Sequence, residues 1–268
     1  MNTETITDKE LALLRTLTVE PEWTVKFTEL FDETVVVGEP RTITYINSGS
    51  GTHSIDIADK MGPEVEVFAV SETVELASQS AAKAETTGVG MDFSTSDPIG
   101  ASDLSIADIS LLSGEDIKTT ILRCIGATNH STAFFLTSSG SFGEVFSFLW
   151  EVLFELGKES HEESVAELIG GYPSIAEVEG ILKEAGLKNI RSKIKNVPMD
   201  FASGKEFVES PLMRYFFLPI WLEAFSSSER DEITKLLAEK IDEELQGLSF
   251  RISVKAAIFE ARRSAKSK

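Results

Sequence analysis

Between residues 42 and 137 the chain alternates short β-rich runs with helix-length stretches, and this alternation constrains its fold more than any other feature. The runs fall at 42–46, 65–70, 91–95, 104–109 and 133–137, with helix-compatible stretches at 54–61, 73–83 and 115–125. Parallel strands need a crossover of a dozen or more residues, and such crossovers are right-handed, so the pattern predicts βαβ units and a parallel sheet. The runs are apolar without strict alternation, as strands covered on both faces are.

The flanks are read the same way. Residues 8–31 are helical in pattern, with Leu11, Leu14, Leu17, Trp23, Phe27 and Leu30 as apolar contacts, and Pro21 predicts two helices rather than one. In the second half, 142–156 is an apolar helix and 158–167 an acidic surface segment. Ser174 with Glu177 forms a capping box for a helix ending at Gly186. A strand at 187–195, helical pieces at 204–212 and 215–225, a charged amphipathic helix at 228–245 and a last strand at 248–259 complete the pattern. That last strand places Phe250, Ile252, Val254, Ala256 and Ile258 on one side.

Composition removes several classes of function. The 268 residues carry 25 Lys+Arg against 44 Asp+Glu, a formal charge of -19. That balance disfavours nucleic acid and anionic membrane surfaces as partners. The single cysteine, Cys124, cannot pair within the chain, and three His with one Cys leave no structural zinc set. The N-terminus is polar and acidic, and no apolar stretch is long enough to span a bilayer, so a cytoplasmic protein without metal is expected. The oligomeric state stays open, a homodimer among the options.

The first β-rich run ends in Asn47-Ser48-Gly49-Ser50-Gly51-Thr52, a strand-to-helix turn whose glycines let a ligand approach the backbone. This turn, and the order of the strands and helices after it, resembles the class I S-adenosylmethionine-dependent methyltransferases. The likeness runs from about residue 42 to 262. Residues 67–72 (VFAVSE) stand where that family's second strand ends in a ribose-binding acid. Ser96-Asp97-Pro98 resembles its adenine-side motif, and 102–108 (SDLSIAD) its fourth strand. The helix opened by Ser174 and the subsequent Gly186-Leu187 resemble its entry to the sixth strand.

The resemblance implies a seven-stranded, mostly parallel α/β sheet sandwiched by helices. It implies a helical lid over residues 1–40 and an α/β domain over 41–268 with a helical insert at about 201–225. It also implies S-adenosylmethionine held by Asn47, Gly49, Ser50, Gly51, Thr52, Ser71, Glu72, Asp97 and Ala107, with Tyr215 and Trp221 contacting a small-molecule acceptor. Trp23 and Phe27 are the lid's candidates for covering the cofactor. The sequence departs from the family at Asn47 and Ser71, where acids usually stand, and at His53, where a glycine does. Each lost charge-assisted contact costs about 1.5–3 kcal/mol, so weakened or lost cofactor binding is expected. No catalytic residue is assigned. His53 is the histidine nearest the expected pocket, and a satisfied structural role is preferred for it; His130 and His161 read as structural or surface. Two functions are compatible with these residues: a methyltransferase acting on a small molecule, or a methyltransferase-fold protein that has lost catalysis and serves as a binding or partner protein.

Overall fold

The computed structural model describes residues 6–158 and 162–263. His161, part of the acidic 158–167 segment and the last residues of the basic tail lie outside the described residues.

Strands β1 (Thr42–Ile46), β2 (Glu66–Val70), β3 (Asp92–Ser94), β4 (Ser102–Ile109), β5 (Thr128–Thr137), β6 (Leu187–Asn196) and β9 (Lys255–Arg263) form one seven-stranded sheet, in the order β3-β2-β1-β4-β5-β9-β6. β1 to β5 pair in parallel, and β9 runs antiparallel between β5 and β6. Helices α3 (Thr52–Met61), α4 (Val74–Thr87) and α5 (Glu115–Gly126) make the crossovers. α6 (Gly143–Glu155), α7 (Glu162–Gly170) and α8 (Ile175–Glu184) come after β5. The seven-stranded, mostly parallel sheet expected from the sequence is present. So is the Ser174–Glu177 capping box, with both of its hydrogen bonds.

The final strand differs from the sequence expectation. β8 (Phe250–Ile252) pairs with β7 (Met199–Phe201) as a separate antiparallel ribbon, and β9 begins after Ser253-Val254. Ala257 and Phe259 are as buried as Ala256 and Ile258, because β9 lies inside the sheet with both faces covered. The insert forms α9 (Gly204–Glu209), a π-helical turn at Met213–Phe217 and α10 (Leu218–Trp221), ahead of the long α11 (Ser227–Leu245).

At the N-terminus Pro21 does not split the run. α1 (Asp8–Leu14) passes through a π-helical segment, Arg15–Thr24, into α2 (Val25–Thr34). Proline has no N–H to donate, and its ring presses on the carbonyl one α-turn back. A wider turn relieves that contact, so the helix continues by local widening rather than by ending. The buried positions Arg15, Val19, Trp23, Phe27 and Phe31 recur every fourth residue. Four residues exceed one α-turn and fall short of one π-turn, so mixing the two keeps this stripe on one face.

That stripe crosses the carboxyl edge of the sheet. Trp23 is fully buried, and its Nε1 donates to Ser110 Oγ at 3.0 Å, just beyond β4. Its ring packs on Phe27, Phe142 and Phe217, with centroids 5.1, 6.1 and 4.9 Å away. Trp23→Ala is expected to destabilise the protein by about 3–5 kcal/mol, read from urea unfolding followed by far-ultraviolet circular dichroism.

Candidate functional site

The turn after β1 is built by backbone geometry. Asn47, Gly49 and Gly51 have φ of 55°, 56° and 80°, so the chain coils left-handed before entering α3. Glycine takes that region freely, and asparagine is among the few other residues that do. The local conformation therefore accounts for Asn47 where a carboxylate was expected. Its Nδ2 donates to the Asp108 carbonyl at 3.2 Å, tying the turn to the end of β4.

The two glycines face different neighbours. A Cβ on Gly51 would lie 2.7 Å from Ser80 Cβ and 3.1 Å from the Phe93 ring, inside the packing of α4 and β3. A Cβ on Gly49 would meet the Arg15 guanidinium at 3.3 Å. Gly49, not Gly51, therefore faces Arg15 and the cavity beside it.

Arg15 is the residue sequence reasoning missed. Its side chain is 5% exposed, and Nη2 lies 3.4 Å from Asp108 Oδ2 and 3.8 Å from Glu72 Oε1. Asp108, also 5% exposed, accepts from Ser110 N–H and Oγ at 2.9 and 2.6 Å. Glu72 stands at the mouth, its side chain one-third exposed, and accepts from Gly49 N–H at 3.0 Å. Its carboxylate is turned toward Gly49 and Arg15. The Phe216 ring, on the π-turn of the insert, covers the guanidinium at 5.9 Å. Arg15 was detectable as a charged residue on an otherwise apolar helical stripe, four positions before Val19 and eight before Trp23.

A cavity of about 60 Å³ remains beside it, lined by Glu20, Thr24, Ser48, Ser50, Thr52 and His53 among others. Among the described residues, the buried side-chain polar atoms without a hydrogen-bond partner are Arg15 Nη1, Glu20 Oε2 and Thr24 Oγ1. All three belong to residues lining this cavity. A buried polar atom with no partner is costly, so three around one space mark it as a place for polar atoms from outside the chain.

The other expected site residues separate. Ser50 and Thr52 sit at the start of α3, where Lys83 Nζ donates to their hydroxyls at 3.3 and 2.5 Å. Ser71 is buried with its Oγ 3.0 Å from Ser48 Oγ. Ala107 is a fully buried strand residue, in register with Ile46 and Phe134. Asp97 is not brought to the turn. Arg123, in the last turn of α5, holds both its carboxylate oxygens at 2.5–3.0 Å.

Trp221 is core. It is buried, donates Nε1 to the Tyr172 hydroxyl at 3.1 Å, and packs on Phe142, Phe146 and Phe217. Tyr215 turns toward Arg214, whose guanidinium lies over its ring at 5.4 Å. The insert's aromatic at the site is Phe216, one residue beyond Tyr215, because the π-turn carries that side chain inward.

His53 fills a structural role. Nδ1 lies 2.8 Å from the Tyr45 hydroxyl, Nε2 lies 3.3 Å from Asp32 Oδ1, and the ring packs edge-on against Phe31, Tyr45 and Phe135. It fastens α2 to α3. The His53 hydrogen bond, aided by Lys60, holds the Asp32 carboxyl down at about 2. His130 is exposed beside Asp103 at the opposite edge of the sheet. Cys124 is buried against Ser105 and Thr132, and burial pushes its thiol up to about 11, so it is no nucleophile.

Comparison with solved structures identifies the architecture. A methyltransferase from Geobacter sulfurreducens, solved with S-adenosylhomocysteine, superposes with a TM-score of 0.56 over 97% of this chain and 99% of its own, at 10% identity. One from Thiobacillus denitrificans, also with S-adenosylhomocysteine, gives 0.55 over 97% and 99%, at 10% identity. A putative methyltransferase from Bacillus halodurans gives 0.54 over 90% and 100%, at 13% identity. The fold is that of the S-adenosylmethionine-dependent methyltransferases. No family model and no curated protein matches the sequence.

The site of this methyltransferase-fold chain is charged and nearly filled. Two carboxylates, the Gly49 face and an aromatic ring surround the Arg15 guanidinium. The open volume is about 60 Å³ against the roughly 300–1,000 Å³ of small-molecule pockets, and Arg15 is among the residues that line it and lies against Gly49.

Two outcomes are expected. Gly51→Ala forces a side chain into Ser80 at positive φ and lowers stability by about 2–4 kcal/mol in chemical denaturation, independent of any ligand. Asp32 has its carboxyl lowered from 3.8 to about 2, so its contribution to stability is complete above the unfolded value of about 3.9 and is lost as pH falls through 2. The stability difference between wild type and Asp32→Asn should therefore be flat from pH 7 to 5 and shrink toward zero between pH 4 and about 2.

Proposed function

We propose that the chain is a methyltransferase-fold protein that binds S-adenosylmethionine weakly and serves a small-molecule acceptor, at rest in a state closed to the cofactor. The observation that carries this is the placement of Arg15 over Gly49, between Asp108 and Glu72 and beneath Phe216. The elements that would hold an adenosyl ligand are kept, and one side chain of the N-terminal helix stands among them. At the same edge of the sheet, an open groove of about 570 Å³ is lined by Leu112, Ile220 and Trp221 with Glu115, Asp116 and Glu223. That lining favours a neutral or cationic acceptor over a carboxylate-bearing one.

The second reading, a fold kept for binding a partner rather than for catalysis, is favoured by a different observation. Trp221 is locked to Tyr172 in the core, so its indole N–H is not free to meet an acceptor.

Calorimetric titration separates these readings. The first expects S-adenosylmethionine to bind with a dissociation constant of roughly 100 µM or weaker, since a site open about 1% of the time loses about 100-fold in apparent affinity. Low-micromolar binding by the wild type would remove the closed resting state. No binding at millimolar ligand, with the fold intact, would leave the non-catalytic reading.

A further inference from the structure

The surroundings of Arg15 are those of a bound cation rather than of a structural ion pair. One carboxylate lies at depth, another at the mouth, an aromatic face closes the top, and a glycine leaves the floor open. Nη1 is nevertheless buried without a partner, as are Glu20 Oε2 and Thr24 Oγ1 of two other residues lining the cavity. A side chain retained only for stability would be expected to use more of its five donors.

The segment carrying Arg15 is attached unevenly. Within residues 8–18 the buried side chains are Ala12 and Arg15, while Leu13 and Leu17 are 50% and 65% exposed. A hydrogen bond of 2.9 Å from Thr16 Oγ1 to Gln79 joins the segment to α4. From Val19 onward the helix is anchored by the fully buried Trp23, Phe27, Leu30 and Phe31. The π-helical segment with Pro21 spans this change, and widened turns are where helices bend.

We propose that Arg15 is an internal stand-in for a ligand cation: a sulfonium-bearing nucleoside enters between Asp108, Glu72 and Phe216 by expelling the guanidinium, and residues 8–18 swing out about the π-helical segment while 19–34 stay docked. The inference rests on the adenosyl-ligand reading above. It replaces a lid of 40 residues with an arm of eleven, and it makes the site selective for charge. Withdrawing the arm uncovers little apolar surface, whereas moving the helix beyond Val19 would uncover four large side chains of the core.

The test compares wild type, Arg15→Met and Arg15→Lys by calorimetry with S-adenosylmethionine, whose sulfur is charged, and S-adenosylhomocysteine, whose sulfur is not. Met keeps helix propensity and bulk, removes the charge and can move aside. Arg15→Met should bind S-adenosylmethionine at least tenfold more tightly than wild type and prefer it severalfold over S-adenosylhomocysteine. Lys, a point charge without the planar fork, should fall between. Hydrogen exchange on the wild type gives an independent readout, should Arg15→Met fail to fold: saturating S-adenosylmethionine should raise exchange in residues 8–18 and leave 23–31 protected. Equal affinity in wild type and both variants, or no change in exchange at 8–18 on saturation, overturns the stand-in and leaves the cofactor reading in place. Equal affinity of Arg15→Met for the two ligands overturns the charge selectivity. Absence of binding in all three folded proteins overturns the cofactor reading, and the stand-in with it.

Discussion

A guanidinium withdrawn from water must find acceptors, and much of this protein's carboxyl edge is arranged around that requirement. Arg15 reaches the end of β4 because Asp108 is held there by Ser110, and Ser110 also receives the Trp23 indole N–H. The same helix therefore delivers the charge and the aromatic anchor to one spot on the sheet. Asn47 joins the turn to the Asp108 carbonyl, Glu72 caps Gly49, and Phe216 closes the top from the insert. Removing the cation would leave Asp108 buried without a counter-charge, a change worth about 3–5 kcal/mol in comparable buried pairs. The N-terminal helix is thus coupled to the ligand turn electrostatically as well as by packing.

Most of the sheet could be read from the sequence, because a βαβ succession leaves few alternatives once strand and helix lengths are set. The Ser174 capping box was legible for the same reason, local chemistry with one outcome. The errors fall where an effect outside the local window decided. Pro21 reads as a break because proline usually ends an α-helix, yet the burial of Trp23, Phe27 and Phe31 outweighs the preference and the backbone widens instead. The ribbon of β7 and β8 is invisible to periodicity, since Phe250 to Ile258 alternates without a gap and only the partner strands divide it.

The site was legible in outline and misread in its particulars. Gly49, Gly51 and Glu72 come together with the turn as their motif position implies. Asp97, expected on the adenine side, is held by Arg123, 26 residues later, in a bidentate pair that no linear motif reveals. Tyr215 and Trp221 stand out in the sequence for their polar handles. The handle of Trp221 is satisfied by Tyr172 inside the core, and the π-turn gives the site-facing position to Phe216, which has none. His53 looks obstructive by bulk alone. Its ring instead lies in an aromatic nest with both nitrogens partnered.

What separates a closed site from a lost one is whether the closing group is chemically replaceable. A hydrophobic plug would remove the space and the affinity together, and a ligand would then need to rebuild the pocket. A cation held by Asp108, Glu72 and a ring keeps the pocket's charge pattern intact while filling it. Exchange of one cation for another leaves both carboxylates compensated in each end state, whereas the empty open state carries the cost of an unpaired Asp108 as well as that of moving the arm. A ligand can shift such an equilibrium only by its difference in affinity between the two states. On the proposed reading the closed arm competes with the nucleoside for one space, and the apparent affinity is the intrinsic one multiplied by the open fraction. The weak binding expected from the altered motif residues can therefore arise with the binding surface largely preserved, because the deficit lies in the arm's equilibrium and not in the donors that line the site.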